Sequence, residues 1–273
     1  MPYDDRGQAA AMRRSEWDRR VRRAADLAER FPDASQILTF YRHILQFQRS
    51  MYEEVSTHSA LVDTRANVRQ QLNADVCVRP LSALLELVED HGTETLKQQA
   101  RELASLGLEQ QRELLNSFLA SPDEDAKSFF ARVIAQPYAE YKAGHYPPQP
   151  EGSAGPVCPV CGCKPQAAVL RPEGDGGKRF LLCSFCLTEW EFRRILCPMC
   201  NEEDHRKLPR YSAEELDAVR VEACDTCHCY LKSIDLTVDG LAVPLVDEVA
   251  TVPLDLWAVE HGYQKVAPNL MGF

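Results

Sequence analysis

A chain of 273 residues with 31 basic and 41 acidic side chains carries a formal charge of −10, and 45% of it is hydrophobic. That is enough apolar material for one large core or two smaller ones, while the excess of acid works against a nucleic-acid ligand, because each phosphate contact asks for a Lys or Arg. No apolar run reaches the roughly 18 residues that a membrane-spanning helix needs.

Arg13 and Arg14 stand where a twin-arginine export signal could begin, yet Glu16, Asp18, Arg19 and Arg20 occupy the place of its apolar stretch. The segment reads as a charged helix over 13–30, with Asp18 to Arg23 on a solvated face. Without an export signal the expected compartment is the reducing cytoplasm, where paired cysteines serve as metal ligands in preference to disulfides. Apolar residues then recur at helical spacing. Ile37, Leu38, Tyr41, Ile44, Leu45, Phe47, Met51, Tyr52 and Val55 share one face of a core helix, and Asp33 with Gln36 has the form of its capping box. Further helices are expected over 60–76, 80–90, 93–106 and 109–120, with Gly92 and Gly107 as stops. Ser121, Pro122 and Glu124 mark the start of another, which Pro137 should kink or end, since a proline inside a helix removes a hydrogen bond and crowds the preceding turn. Cys77, between Val76 and Val78, reads as a small buried hydrophobe. Residues 1–146 therefore predict an all-α domain.

From Tyr146 to Pro156 the chain is rich in proline and glycine and cannot hold a regular helix, which places a linker at 147–156. Beyond it come short β-like runs over 167–171, 179–183, 189–196, 218–223 and 230–237. The turn Glu173 to Gly177 joins the first two as a hairpin. Helical periodicity returns over 245–263 through Val249, Val252, Leu256, Trp257 and Val259, interrupted by Pro253 and ended by Gly262. The expected architecture is α+β: a helical domain at 1–146, small zinc-ribbon-like β modules at 157–196 and 197–240, and a C-terminal helical segment at 241–273.

Eight of the eleven cysteines form four CxxC pairs, Cys158/Cys161, Cys183/Cys186, Cys197/Cys200 and Cys224/Cys227, within about seventy residues. Twenty-one residues separate the first pair from the second and twenty-three the third from the fourth, so the chain reads as one two-knuckle unit written twice. A CxxC turn puts two sulfurs on one side of a tight loop, and a second such turn supplies the other corners of a tetrahedron. The matched intervals favour pairing first with second and third with fourth. Thiolates suit zinc and iron alike, so the spacing leaves the metal open. A closed set of four leaves no position for a bound water, which points to structural or redox roles and away from hydrolysis. Cys163 and Cys229 each follow a knuckle and read as small side chains on outgoing strands, with spare ligands or a redox pair as the alternative. His205 and His228 stand beside knuckles that already have their four cysteines. Gly174, Gly176 and Gly177 form no phosphate-binding loop, and Glu202, Glu203 and Asp204 read as a solvated loop.

In order along the chain, Cys158-Pro-Val-Cys161-Gly, Leu182-Cys183-Ser-Phe-Cys186-Leu-Thr-Glu-Trp190, Cys197-Pro-Met-Cys200 and Glu222-Ala-Cys224-Asp-Thr-Cys227 are followed by Tyr230-Leu-Lys232, Gly262-Tyr263 and Asn269. This set resembles the formate dehydrogenase accessory proteins, the FdhE family, over roughly 156–270. His228 departs from the small residue expected after the last knuckle. The resemblance implies a cytoplasmic, non-enzymatic assembly factor acting on the catalytic subunit of formate dehydrogenase before its export. It also implies rubredoxin-like modules holding two iron ions, one by Cys158, Cys161, Cys183 and Cys186 and the other by Cys197, Cys200, Cys224 and Cys227, with zinc as the chemical alternative. Two other functions compete: a rubredoxin-like electron carrier, and a zinc-ribbon nucleic-acid binder drawing on Lys178, Arg179, Arg193, Arg194 and Arg206.

Overall fold

The computed structural model describes residues 5–58, 62–121, 129–147, 155–174 and 176–273, with side chains from residue 15 onward except that of His58. Two long helices, α1 (Asp5–Arg30) and α2 (Ser35–His58), pack against each other, and α2 buries Leu38, Tyr41, Ile44, Leu45, Met51 and Tyr52 as its periodicity predicts. The chain enters α2 through a 3-10 turn at Pro32–Ala34, where the carbonyls of Phe31 and Pro32 take the N–H groups of Ala34 and Ser35. Backbone carbonyls thus do there what the Asp33–Gln36 pair was expected to do.

The expected helix over 60–76 is corrected. From Val62 the described chain is a loop containing a 3-10 turn, Val68–Gln71, and a single helical turn, α3 (Ala74–Cys77). Asn67 and Asn73 account for it: each side chain accepts the N–H two residues on, from Arg69 at 2.9 Å and Asp75 at 2.7 Å, a local bond that competes with helix formation. Tertiary partners complete the change. Tyr146 donates its hydroxyl to the Ala66 carbonyl, and the Val68 N–H donates to the Val160 carbonyl at 3.3 Å.

Helices α4 (Leu81–His91), α5 (Glu94–Ser105) and α6 (Leu108–Ala120) follow as expected. Gly92 closes α4, but Gly107 begins α6 instead of stopping α5, its N–H donating to the Gln110 side chain at 3.1 Å. Pro122 and Glu124 lie outside the described residues. The last helix of this half, α7 (Phe129–Ala143), runs through Pro137 without ending. Proline leaves the carbonyl of Val133, four residues back, without its helical donor. Gln48 of α2 supplies one, its Nε2 donating to Val133 O at 3.0 Å and also to Gln136 Oε1 at 3.2 Å. Gln136 in turn donates to the Ser184 carbonyl at 3.4 Å, so a buried amide relay connects α2 through α7 to the second CxxC turn.

The expected solvated face of α1 is also corrected. Arg20 is buried, pairs with Glu140 of α7 at 2.6 and 3.0 Å, and lies 4.5 Å over the Trp17 ring. Arg23 donates to Asp247 and Asp239, fastening α1 to the C-terminal part of the chain.

Seven strands make one sheet among the described residues: β1 (Pro165–Glu173), β2 (Gly176–Cys183), β3 (Glu189–Glu191), β4 (Arg210–Ser212), β5 (Val219–Ala223), β6 (Cys229–Asp235) and β7 (Gln264–Lys265). Their order is β3-β2-β1-β6-β5-β4, with β7 also on β6. The duplication in the sequence is visible in that order. Strands β3-β2-β1 and β6-β5-β4 are two copies of one antiparallel triplet, each arranged as the strand leaving a knuckle, the strand entering it, and the entering strand's other neighbour. Parallel pairing of Ala167–Leu170 with Lys232–Asp235 joins the copies. Side chains alternate across the sheet. Ala168, Leu181 and Leu231 face the helical core, whereas Ala167, Val169, Leu182, Val221 and Tyr230 face a smaller core with Leu254 and Ala258. Strand β3 is shorter than the expected 189–196 because the Arg193 carbonyl turns in to accept the Arg179 guanidinium at 3.1 Å. The helical segment at 245–263 divides into α8 (Pro244–Ala250) and α9 (Val252–Glu260), and Gly262 at φ 83° ends it.

Between β6, α8, α9 and the last residues lies a buried ionic cluster. Lys232 Nζ reaches Glu248 Oε1 at 3.2 Å and Asp255, Lys265 pairs with the same two carboxylates, Tyr230 donates to Asp255 at 2.8 Å, and Asn269 donates to Glu248. Burial lowers the pKa of Lys232, while Glu248 and Asp255 favour its charged form. Removing one partner leaves buried charge uncompensated, so Lys232→Met is expected to cost about 3–5 kcal/mol in urea unfolding. A change within experimental error would show the cluster to be dispensable. Gln48→Leu strands the Val133 carbonyl and is expected to cost about 1–3 kcal/mol in the same measurement, against no change if water replaces the amide.

Candidate metal centres

All four CxxC segments adopt one turn. The N–H of the first cysteine donates to the carbonyl five residues on: Cys158 to Cys163 at 2.9 Å, Cys183 to Thr188 at 3.0 Å, Cys197 to Glu202 at 3.0 Å and Cys224 to Cys229 at 2.9 Å. The residue after the second cysteine is left-handed each time, with φ 79° at Gly162, 58° at Leu187, 60° at Asn201 and 55° at His228. Glycine takes that conformation freely, whereas a side chain there costs roughly 1–2 kcal/mol. His228 therefore keeps the common geometry under strain. Cys163 and Cys229 contribute carbonyls to these turns, and neither sulfur belongs to a four-sulfur group.

The turns converge as the spacing predicts. Cys158, Cys161, Cys183 and Cys186 form one group and Cys197, Cys200, Cys224 and Cys227 a second, each with its sulfurs within 4.8 Å of one another. Across the first group, Cys158–Cys186 is 3.5 Å and Cys161–Cys183 is 3.3 Å; across the second, Cys197–Cys227 is 3.7 Å and Cys200–Cys224 is 3.6 Å. A regular tetrahedron with metal–sulfur bonds of about 2.3 Å has edges of about 3.8 Å, so both groups could hold a zinc- or iron-sized ion. The electrostatics agree. Burial drives the Cys183 and Cys186 thiols well above their ordinary range, and four thiolates this close need a cation among them. An all-sulfur set suits soft-binding metals and does not choose between iron and zinc. Among the described residues neither His205 nor His228 joins a group, and Cys77 is buried apart, its thiol pushed up to about 12 by desolvation.

The settings of the two groups differ. The first is part of the main core: Phe185, inside its second turn, meets Phe118 of α6 edge-on at 5.7 Å, and Val160, inside its first, receives the Val68 N–H. The second rests on loops and on the chain end. Glu202, expected to be solvated, accepts the Thr226 hydroxyl at 2.6 Å and the Asp204 N–H at 3.0 Å, so it braces the third turn against the fourth, and these bonds pull its carboxyl down to about 2. Tyr263 donates to Asp225 at 2.7 Å and the Gln264 N–H to the His228 carbonyl at 2.8 Å, bracing the fourth turn from β7. Sequence reading missed these braces and the cluster around Lys232. The available signal was a lysine among Tyr230, Leu231 and Ile234 in a run expected to be a strand.

Comparison with known proteins agrees with this geometry. Residues 157–194 match the family model for the FdhE central domain, and residues 195–271 match that for the FdhE C-terminal domain. A protein FdhE homolog from Aquifex aeolicus is 34% identical, covering 98% of this chain and 99% of its own. Another from Haemophilus influenzae is 28% identical over 93% of this chain and 87% of its own. Among solved structures, the FdhE protein from Pseudomonas aeruginosa superimposes with a TM-score of 0.71 at 26% identity, covering 94% of this chain and 96% of that one. Full-length similarity, the paired domain matches and the shared fold place the chain in the FdhE family.

Proposed function

We propose that this protein is an assembly factor for formate dehydrogenase, binding the catalytic subunit in the cytoplasm without catalysing a reaction of its own. Cys158, Cys161, Cys183 and Cys186 would hold one ion and Cys197, Cys200, Cys224 and Cys227 a second, each in a rubredoxin-type site. Iron is the proposed metal, and zinc is the alternative. The observation that carries the reading is the closure of both sulfur sets within a chain of the FdhE family: four protein ligands leave no coordination position for a substrate. Iron so held would supply one-electron chemistry, and zinc would supply a cross-link. The division into a helical part, a linker at 147–156, modules at 157–196 and 197–240 and a C-terminal segment at 241–273 belongs to the same reading. No helix among the described residues is long and apolar enough to cross a membrane.

A rubredoxin-like electron carrier is the second reading, favoured by the exposure of Cys200 at the second group. The nucleic-acid reading loses support from the pairing of four of its five cations with carboxylates, the fifth, Arg194, donating to the Gly177 carbonyl at 3.2 Å. Lys178 meets Glu191 at 3.0 Å, Arg179 meets Glu222 at 2.8 Å, Arg193 meets Glu203 at 2.7 Å and Arg206 meets Asp204 at 2.8 Å, which leaves little free positive charge for phosphates.

The chain is expected to co-purify with the catalytic subunit of formate dehydrogenase and to lose it when Cys158 and Cys161 are both replaced by alanine. Full formate dehydrogenase activity in cells lacking the gene would contradict the assembly role. Protein purified without oxygen and then oxidised in air should show the visible absorption of ferric iron bound by sulfur. A colourless protein containing two zinc ions would replace iron with zinc and remove the electron-carrier reading.

A further inference from the structure

The two sulfur groups share a turn geometry but not an environment. In the first, Cys158, Cys161, Cys183 and Cys186 are between 0% and 2% exposed. They lie in the main core, where Phe118 of α6 meets Phe185 and Gln136 of α7 donates to the Ser184 carbonyl, both inside the second turn. In the second, Cys197 and Cys224 are buried, Cys227 is half-buried and Cys200 is exposed. Met199, inside the third turn and next to Cys200, is exposed too, at 39%. Among the described residues the smaller core, which takes Val219, Val221, Ala223 and Tyr230 of the second unit, draws on β-strands, α9 and the chain end, while Leu196 and Cys229 beside the second group pack against the main core.

We infer that the two centres have different tasks: the first is a permanent cross-link between the helices and the sheet, and the second is the site at which the protein exchanges a thiophilic cation with its surroundings. Exchange requires an incoming ligand to approach one of the sulfurs while the others still hold the ion. At the second group the Cys200–Cys227 edge offers that approach in the folded state. At the first group it requires α6, α7 and the 3-10 turn at Val68–Gln71 to lift away, which uncovers the Phe118–Phe185 contact, breaks the Gln48–Gln136–Ser184 relay and separates Val68 from Val160. Openings of that size approach global unfolding in free energy, whereas exposed loops open at almost none. The braces at the second group, Glu202 to Thr226 and Tyr263 to Asp225, hold the turns in register and leave the outer edge clear. This assignment concerns the chain alone and stands whether or not formate dehydrogenase is its partner.

The test uses full-length protein loaded with two zinc ions and mixed with excess chelator. Released zinc is counted over time, helical circular dichroism is followed, and samples are alkylated with iodoacetamide for peptide mapping. Two phases are expected, one ion each, with the first at least about a hundred-fold faster than the second. During the fast phase the label should appear on Cys197, Cys200, Cys224 and Cys227 while the helical signal stays constant. Release of both ions in one phase, or label on Cys158, Cys161, Cys183 or Cys186 during the fast phase, would overturn the assignment. Variants give a second readout. Cys200→Ser is expected to retain one ion and a cooperative melting transition, and Cys183→Ser to lose cooperative melting; a Cys200→Ser protein that loses both ions, or melts as poorly as Cys183→Ser, would overturn it as well.

Discussion

The rest of the structure depends on the requirement that eight sulfurs be presented in two tetrahedral sets. Each CxxC turn includes a backbone hydrogen bond across five residues and one left-handed residue, and three of those four residues are not glycine. Strain of that kind persists only where the surroundings over-determine it. Here the surroundings are the strands that enter and leave the turns. The second and fourth turns sit at the junctions of β2 with β3 and of β5 with β6, so bringing one pair of turns together also fixes which strands are neighbours. Parallel pairing of β1 with β6 then makes two units into one sheet.

Around that sheet the chain spends its charge in specific places. A protein with ten excess negative charges would be expected to keep its carboxylates in water, yet Glu248, Asp255 and Asp247 are buried. They are matched by Lys232, Lys265 and Arg23, and together these pairs pin α8, α9 and the chain end to the sheet and to α1. Because β7 in turn braces the fourth CxxC turn, the ionic cluster and the second sulfur group are mechanically connected through Gln264 and Lys265. The first group is held differently, by aromatic and aliphatic packing and by a relay of side-chain amides.

Much of this was legible in the sequence, and the remainder fails for identifiable reasons. Metal-site spacing is local information, so the four CxxC knuckles could be read directly, and their matched intervals favoured one of the three possible pairings. Helices α2, α4, α5 and α6 carried their own periodicity, and Gly262 its own stop. The segment 60–76 looked helical because its apolar residues have the right spacing, but Asn67, Asn73 and the contact with Val160 outweighed propensity. Arg20, Arg23 and Glu202 looked solvated because a lone charge in a sequence gives no sign of a partner more than a hundred residues away, or across a metal site. Strands β4 and β7 are three and two residues long, too short for a period-two pattern, and they exist because neighbouring strands offer them hydrogen bonds.

X-ray absorption at the metal edge of the purified protein, combined with elemental analysis, tests the central claim most directly. The account predicts two ions per chain, each surrounded by four sulfurs at about 2.3 Å and by no lighter atom. Oxygen or nitrogen in the coordination shell, or fewer than two ions per chain in the purified protein, would contradict it.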